Sequence, residues 1–113
     1  MVKTDWIAAD EFRERLPHTN AAMQKFVMSM AAVHNKRGKK TLFGKDKGLD
    51  AYRDFELRLT DLKRAMVLDR LIAPNETAAN VRDSIVFLIV SWAQIYPNWK
   101  DAYMFAIEFF EIS

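Results

Sequence analysis

Side chains that commonly do acid–base or nucleophilic chemistry are sparse in this chain of 113 residues. It has two histidines, His18 and His34, and no cysteine, so disulfides, thiolate metal sites and cysteine catalysis are excluded. Glu14 lies four residues before His18, but Pro17 stands between them and breaks the helical spacing. His34 precedes a basic run that would repel a cation. We therefore expect both histidines at helix ends or on the surface, and we predict no metal site.

Carboxylates and serines give no stronger signal for catalysis. Asp50 and Asp54 share a face of a predicted helix, with Asp61 two turns further on, and paired carboxylates can bind Mg²⁺ or exchange protons. The same spacing is ordinary on the solvated side of a helix. Ser84 and Ser91 lack the flanking glycines of a nucleophile elbow. We predict that the chain is not an enzyme and that it uses no cofactor.

The densest chemical signal is basic and lies in the stretch NKRGKKTLFGKDKG, residues 35–48. Residues 36–47 hold six Lys and Arg against one Asp, a balance of +5. The remaining 11 basic and 14 acidic residues balance at −3, so the net charge of +2 conceals a basic segment on a mildly acidic body. Clustered cations drive non-specific binding to nucleic acid, and an aromatic among them can stack on an exposed base. The candidate polyanion-binding residues are Lys36, Arg37, Lys39, Lys40, Phe43, Lys45 and Lys47.

Three interpretations of this basic segment stay open. It binds nucleic acid or another polyanion, it meets an acidic protein partner, or it is a flexible connector at about residues 35–48 that Leu42 and Phe43 anchor to the helices. A nucleotide-binding phosphate loop is excluded, because GKKTLFGK has five residues between its glycines where the motif requires four. In addition, Asp46 stands where a Ser or Thr must reach magnesium.

Helices must position these residues. Half of the residues are hydrophobic and the chain has only three glycines and three prolines, which favours long uninterrupted elements. We predict an all-α fold: one domain over residues 1–113, built as an antiparallel bundle of four main helices plus a short N-terminal helix. The first predicted helix runs from Thr4 or Asp5 to Leu16, and the second from a cap at Thr19 or Asn20 to His34 or Asn35. The third begins after Gly48 and runs to about Ile72, the fourth runs from a cap at Asn75 to Tyr96, and the fifth from a cap at Asn98 to the C-terminus.

The third and fourth helices differ in how clearly the sequence marks them. Apolar residues at 52, 55, 59, 62 and 66 step by 3, 4, 3 and 4, the spacing of a packed helical seam. The run IVFLIV, residues 85–90, has the composition of a buried strand. Its flanks are helical and contain no turn signal, so we predict a helix there as well.

The fourth helix carries an apolar residue on the side where solvent is expected. At 100° per residue five polar residues fall within about 100° of arc: Asn80, Asp83, Ser84, Ser91 and Gln94. Phe87 lies inside that stripe. Most of the remaining circumference is apolar, which predicts a helix in the middle of a core. Met104 likewise falls among the charged residues of the last helix. These helices therefore carry more apolar surface than a small bundle needs.

Two explanations for this surplus stay open. Either another segment of the same chain covers it, for which the first helix or the Leu42–Phe43 pair is available, or a second chain does. The candidate partner surface is Phe87, Ser91, Met104 and Phe105.

The predicted class of function follows from what the sequence excludes and from this surplus of apolar surface. The N-terminal stretch MVKTDWIAADEF lacks the apolar core of a secretory signal, and no apolar run approaches the roughly 20 residues of a membrane span. We expect a cytoplasmic protein without membrane contact, and we infer no small-molecule substrate. The sequence predicts a protein–protein interaction module, an adaptor or regulator that forms a homodimer. The alternative is nucleic-acid or other polyanion binding through residues 36–47.

Overall fold

Five α-helices make up the part of the chain that the computed structural model describes, residues 8–36 and 47–112. They are α1 (Ala9–Arg15), α2 (Pro17–Lys36), α3 (Lys47–Leu68), α4 (Ala78–Ile95) and α5 (Lys100–Phe109). Neither described range contains a strand. The all-α prediction is confirmed, and the ambiguous run at residues 85–90 lies inside α4.

The start of α2 differs from its prediction. Pro17 is the first residue of α2, where its fixed φ suits the first turn and its missing N–H costs nothing. The predicted caps, Thr19 and Asn20, are therefore wrong. The N–H of Thr19 instead donates to the Asp69 carboxylate at 2.6 Å, so the cap comes from 50 residues further along the chain. The predicted start of the first helix, at residues 4–5, lies outside the described residues.

The end of α3 comes four residues before its predicted position at Ile72. Arg70 has a φ of 61°, in the left-handed region that closes a helix. Its N–H donates to the Val67 carbonyl at 3.1 Å, and the N–H of Leu71 donates to the Met66 carbonyl at 2.8 Å. This pair of bonds is a Schellman motif. Leu71 and Ile72 continue the apolar pattern in sequence, but they belong to the turn after the helix.

The residues that precede α4 and α5 also differ from the predicted caps. Thr77, not Asn75, caps α4, because its side-chain oxygen accepts the N–H of Asn80 at 3.2 Å. The residue before α5 is Trp99, not Asn98, and it makes no side-chain cap bond.

The centre of the core is α2, which packs against both α3 and α5. Phe26 of α2 stacks on Phe55 of α3 with ring centroids 5.5 Å apart, and Phe55 meets Phe105 of α5 edge-on at 5.0 Å. The prediction that α4 would occupy the middle is wrong. One side of α4 is buried, and Trp92 on that side meets Phe12 of α1 at 5.4 Å. Phe87, on the opposite side of α4, is exposed.

None of the described helices combines the length and the hydropathy that crossing a bilayer requires.

Candidate interaction surface

The structure divides the four residues of the predicted partner surface into two groups. Phe87 is 37% exposed and Met104 is 54% exposed. Ser91 and Phe105 are buried, with 0% and 3% exposure, so a partner cannot reach them in this conformation.

The packing of Ser91 and Phe105 explains why they are buried and not on the surface. Phe105 stacks on Phe109 at 5.5 Å and belongs to the aromatic core. Ser91 is next to Trp92 and one turn from Leu88, both buried. Near the C-terminal end of α4 the buried side of the helix is wide enough to include Ser91.

The outer side of α5 contains a second exposed apolar residue that the sequence prediction missed. Ile107 is 50% exposed and lies three residues after Met104, so the two side chains are neighbours on one helix face. The i, i+3 spacing of Met104 and Ile107 in the sequence could have indicated that the two share a face. On α4, Val86, Val90 and Ala93 are half-buried and repeat at spacings of four and three. We use the name α4–α5 face for these exposed and half-buried residues of the two helices taken together: Val86, Phe87, Val90, Ala93, Met104 and Ile107.

Two side-chain hydrogen bonds fix α4 and α5 against each other. The Arg82 guanidinium donates to the carbonyl of Phe110 at the end of α5. A cation at this position is favourable, because the C-terminus of a helix carries partial negative charge. At the other end the hydroxyl of Tyr103 donates to the Tyr96 carbonyl at 2.7 Å. The start of α4 therefore lies beside the end of α5, and the two helices run antiparallel.

A surface recess lies beside Phe87. It measures about 240 Å³ and has almost entirely apolar walls, formed by Leu71, Asp83, Ser84, Phe87 and Leu88. A recess of this size accepts one or two apolar side chains.

Charges surround the apolar part of α5. Lys100 precedes Met104 by one turn, and acidic residues occupy the rest of that side: Asp101, Glu108 and Glu111. The rim of the face is therefore mildly acidic, in keeping with the balance of −3 outside residues 36–47.

Most of the predicted polyanion-binding segment lies outside the described residues. This applies to Arg37, Lys39, Lys40, Phe43 and Lys45, and to the side chain of Lys47. Lys36 ends α2 and is exposed. The interpretations of the segment therefore stay predictions.

The structure places one histidine beside a carboxylate that is distant in sequence. The Nδ1 atom of His18 is 2.8 Å from one oxygen of Asp69, whose other oxygen accepts the N–H of Thr19. The Asp69 side chain is 3% exposed, although the residue as a whole is only partly buried. Burial alone would raise the pKa of Asp69, but the Thr19 N–H and the His18 ring lower it, and the pKa lies below its usual value. This His18–Asp69–Thr19 arrangement, which we call the α2 clamp, ties the start of α2 to the end of α3.

The α2 clamp does not make a metal site. Over residues 8–36 and 47–112 no three histidine, aspartate or glutamate side chains gather as ligands. His34 is half-buried, and its Nδ1 atom has no hydrogen-bond partner within residues 8–36 and 47–112.

No protein-family model, no curated protein and no solved structure matches this chain. Its function is therefore argued from its own surfaces.

Proposed function

We propose that this single-domain, antiparallel helical bundle is a small protein–protein interaction module, an adaptor or regulator that acts as a homodimer through the α4–α5 face. The observation that supports it is the exposure of Phe87, Met104 and Ile107 on two helices held in fixed register. Scattered exposed apolar residues are normal on proteins, whereas neighbouring ones mark interaction sites. Here two lie one turn apart on α5, and the third lies beside an apolar recess on α4.

The area of the face is suitable for a dimer. The 18 residues of α4 extend about 27 Å at 1.5 Å per residue. The 10 residues of α5 extend about 15 Å, so the two helices, each about 10 Å wide, give a footprint of roughly 400 Å². A standard interface buries about 800 Å² of accessible surface on each partner, and the accessible surface of a ridged face exceeds its flat footprint. In a two-fold dimer the same face is used twice, so one patch suffices.

The assembly is tested by the molar mass in solution. We expect light scattering on the purified chain to show a dimer in the micromolar range, and Met104→Glu to shift it to a monomer because a charge cannot be buried unpaired. Leu57→Glu is the matched control, since Leu57 is 55% exposed but lies on α3. A strictly monomeric wild-type chain removes the homodimer, and equal effects of both substitutions remove the α4–α5 face.

The rival proposal is polyanion binding through residues 36–47, and the charge of +5 in that segment supports it. Mobility shift of nucleic acid at low salt tests it. Replacing Lys36, Arg37, Lys39 and Lys40 with alanine should abolish the shift. Removing four cations from α2 and α3, at Lys25, Arg53, Lys63 and Arg64, should leave it in place. No shift by the wild-type chain at low salt refutes this rival.

A further inference from the structure

One stripe of α4 is accessible to solvent along nearly the whole helix. It comprises five residues, of which four are exposed and Val90 is half-buried: Asn80, Asp83, Phe87, Val90 and Gln94. They follow one another at spacings of three, four, three and four residues. This is the spacing by which one helix packs along another in a coiled coil. We call these five residues the α4 stripe.

The α4 stripe is nearly symmetric about Phe87. Asn80 and Gln94 lie seven residues before and after Phe87. Asp83 lies four residues before it, and Val90 lies three residues after it. A second copy of α4 that runs antiparallel, with Phe87 opposite Phe87, therefore brings Asn80 level with Gln94 of the partner subunit. In the same arrangement Asp83 comes level with Val90 of the partner subunit.

The ends of the α4 stripe are chemically suited to this pairing. Side-chain amides both donate and accept hydrogen bonds, so Asn80 and Gln94 are a compatible pair. The Asn80 amide donates to Glu76 at 3.0 Å, which leaves its carbonyl oxygen available as an acceptor. With Phe87 and Val90 between these ends, the stripe has the apolar centre and polar rim of a protein interface.

The charge of Asp83 favours the antiparallel arrangement over a parallel one. The Asp83 side chain is 72% exposed, and Arg82, its ion-pair partner in the same helix, lies 3.6 Å away. In a parallel pair of helices the two Asp83 carboxylates would lie at the same height, and neighbouring like charges destabilise. In the antiparallel pair they are displaced along the helix by about 12 Å. Salt largely screens exposed charges at that distance.

The apolar recess beside Phe87 can receive the central ring of a second copy. Its volume is about 240 Å³, and Asp83 and Phe87 of the stripe form its walls together with Leu71, Ser84 and Leu88. In the two-fold arrangement Phe87 of the partner subunit lies next to this recess. Aromatic residues near the centre of an interface commonly contribute most of the binding energy.

We propose, on the basis of the homodimer proposed above, that two copies of α4 pair antiparallel about a two-fold axis beside Phe87, and that each Phe87 ring enters the recess of the other chain. The occupant of the α4 stripe is a second copy of this chain, because α4 itself carries what the stripe requires of a partner. These requirements are an aromatic ring at the centre, a polar residue at each end, and a carboxylate displaced from its own two-fold mate.

Cysteine cross-linking tests this register, because the chain has no cysteine of its own. In the double variant Asp83→Cys, Val90→Cys, the two cysteines of one chain are about 10.5 Å apart along the helix. That exceeds the roughly 7 Å between Cα atoms that a disulfide spans. Across the proposed axis, each Cys is within about 1.5 Å of the height of the other position in the partner. Oxidation should therefore give a covalent dimer on a non-reducing gel.

The two single variants are the matched controls. Across the axis, the two copies of position 83 are about 12 Å apart along the helix and those of position 90 about 9 Å. Neither variant should therefore form a covalent dimer. Separately, Phe87→Ala should raise the dissociation constant of the dimer roughly tenfold or more in light scattering over a concentration series. Leu57→Ala, on α3, should leave it unchanged.

Each contrary result has a distinct meaning. A wild-type chain that is monomeric in light scattering removes both the homodimer and this register. A wild-type dimer whose double variant does not cross-link keeps the homodimer and removes the register. Cross-linking of the single variants as efficient as that of the double variant also removes it, because parallel pairing or random collision then explains the covalent dimer. An unchanged dissociation constant in Phe87→Ala removes the central ring contact.

Discussion

Removing the carboxylate of Asp69 is expected to destabilise the fold strongly for a single residue outside the main core. In Asp69→Ala the N–H of Thr19 loses its acceptor, and Thr19 is fully buried. Loss of a helix cap costs about 0.5–2 kcal/mol, and loss of a hydrogen bond to a charged group costs about 1.5–3 kcal/mol. The two describe the same bond, so we expect about 2–3 kcal/mol in total.

The second contact of Asp69 contributes less. The His18 side chain is 58% exposed, so solvent screens its pairing with Asp69, and exposed pairs contribute about 0.2–1 kcal/mol. His18→Ala should therefore cost less than 1 kcal/mol. Asp69→Asn keeps an acceptor of the same shape but loses the charge at the start of α2, which costs about 1 kcal/mol. The expected order of destabilisation is Asp69→Ala, then Asp69→Asn, then His18→Ala.

Urea unfolding followed by circular dichroism at neutral pH measures this order. A loss of 2–3 kcal/mol lowers the melting temperature by about 8–15 °C in a chain of this size. If Asp69→Ala costs less than about 0.5 kcal/mol, the α2 clamp contributes nothing and the reasoning is refuted. If His18→Ala lowers the free energy of unfolding as much as Asp69→Ala does, the stabilisation by Asp69 comes mainly from its pairing with His18 and not from the helix cap.

The pH dependence of the α2 clamp has a definite sign. Folding lowers the pKa of Asp69, so the folded state favours the carboxylate. The contribution is complete above the unfolded pKa of about 3.9, and it is lost as the pH falls through the lower folded pKa. Wild-type stability should therefore fall towards that of Asp69→Asn at acidic pH, and a constant difference between the two would contradict this.

Three further outcomes are expected. Burial raises the pKa of Tyr103 to about 12. The neutral Tyr103 side chain therefore stabilises the fold below pH 10, and this contribution is lost as the pH rises through 12. In a titration followed by tyrosinate absorbance, Tyr103→Phe should remove the component that appears at the highest pH. Arg70→Gly should stabilise the chain by about 0.5–1 kcal/mol in thermal unfolding, because φ is 61° there; destabilisation would show that the Arg70 side chain matters. Phe87→Ser should weaken dimerisation with less than 1 kcal/mol of lost stability, whereas a loss of several kcal/mol would identify Phe87 as core.

The sequence determined the fold class, since helical spacing is a local property. The seam at residues 52, 55, 59, 62 and 66 needs only a period of 3.6 to be recognised, and α3 contains it. The same reasoning placed residues 85–90 in a helix despite their strand-like composition. Local rules failed at helix ends, because caps there depend on partners from elsewhere. No sequence rule pairs Asp69 with Thr19 across 50 positions.

Which apolar residues stay in contact with solvent depends on how the helices pack against one another. A helical wheel gives the angle of a side chain but not the helix that packs against it. For that reason Ser91 and Phe105 are buried while Phe87 and Met104 are exposed, and α2 rather than α4 forms the centre. Burial depends on all neighbouring helices together. The periodic faces can therefore be recognised in the sequence, whereas the three-dimensional packing selects which of them remain exposed.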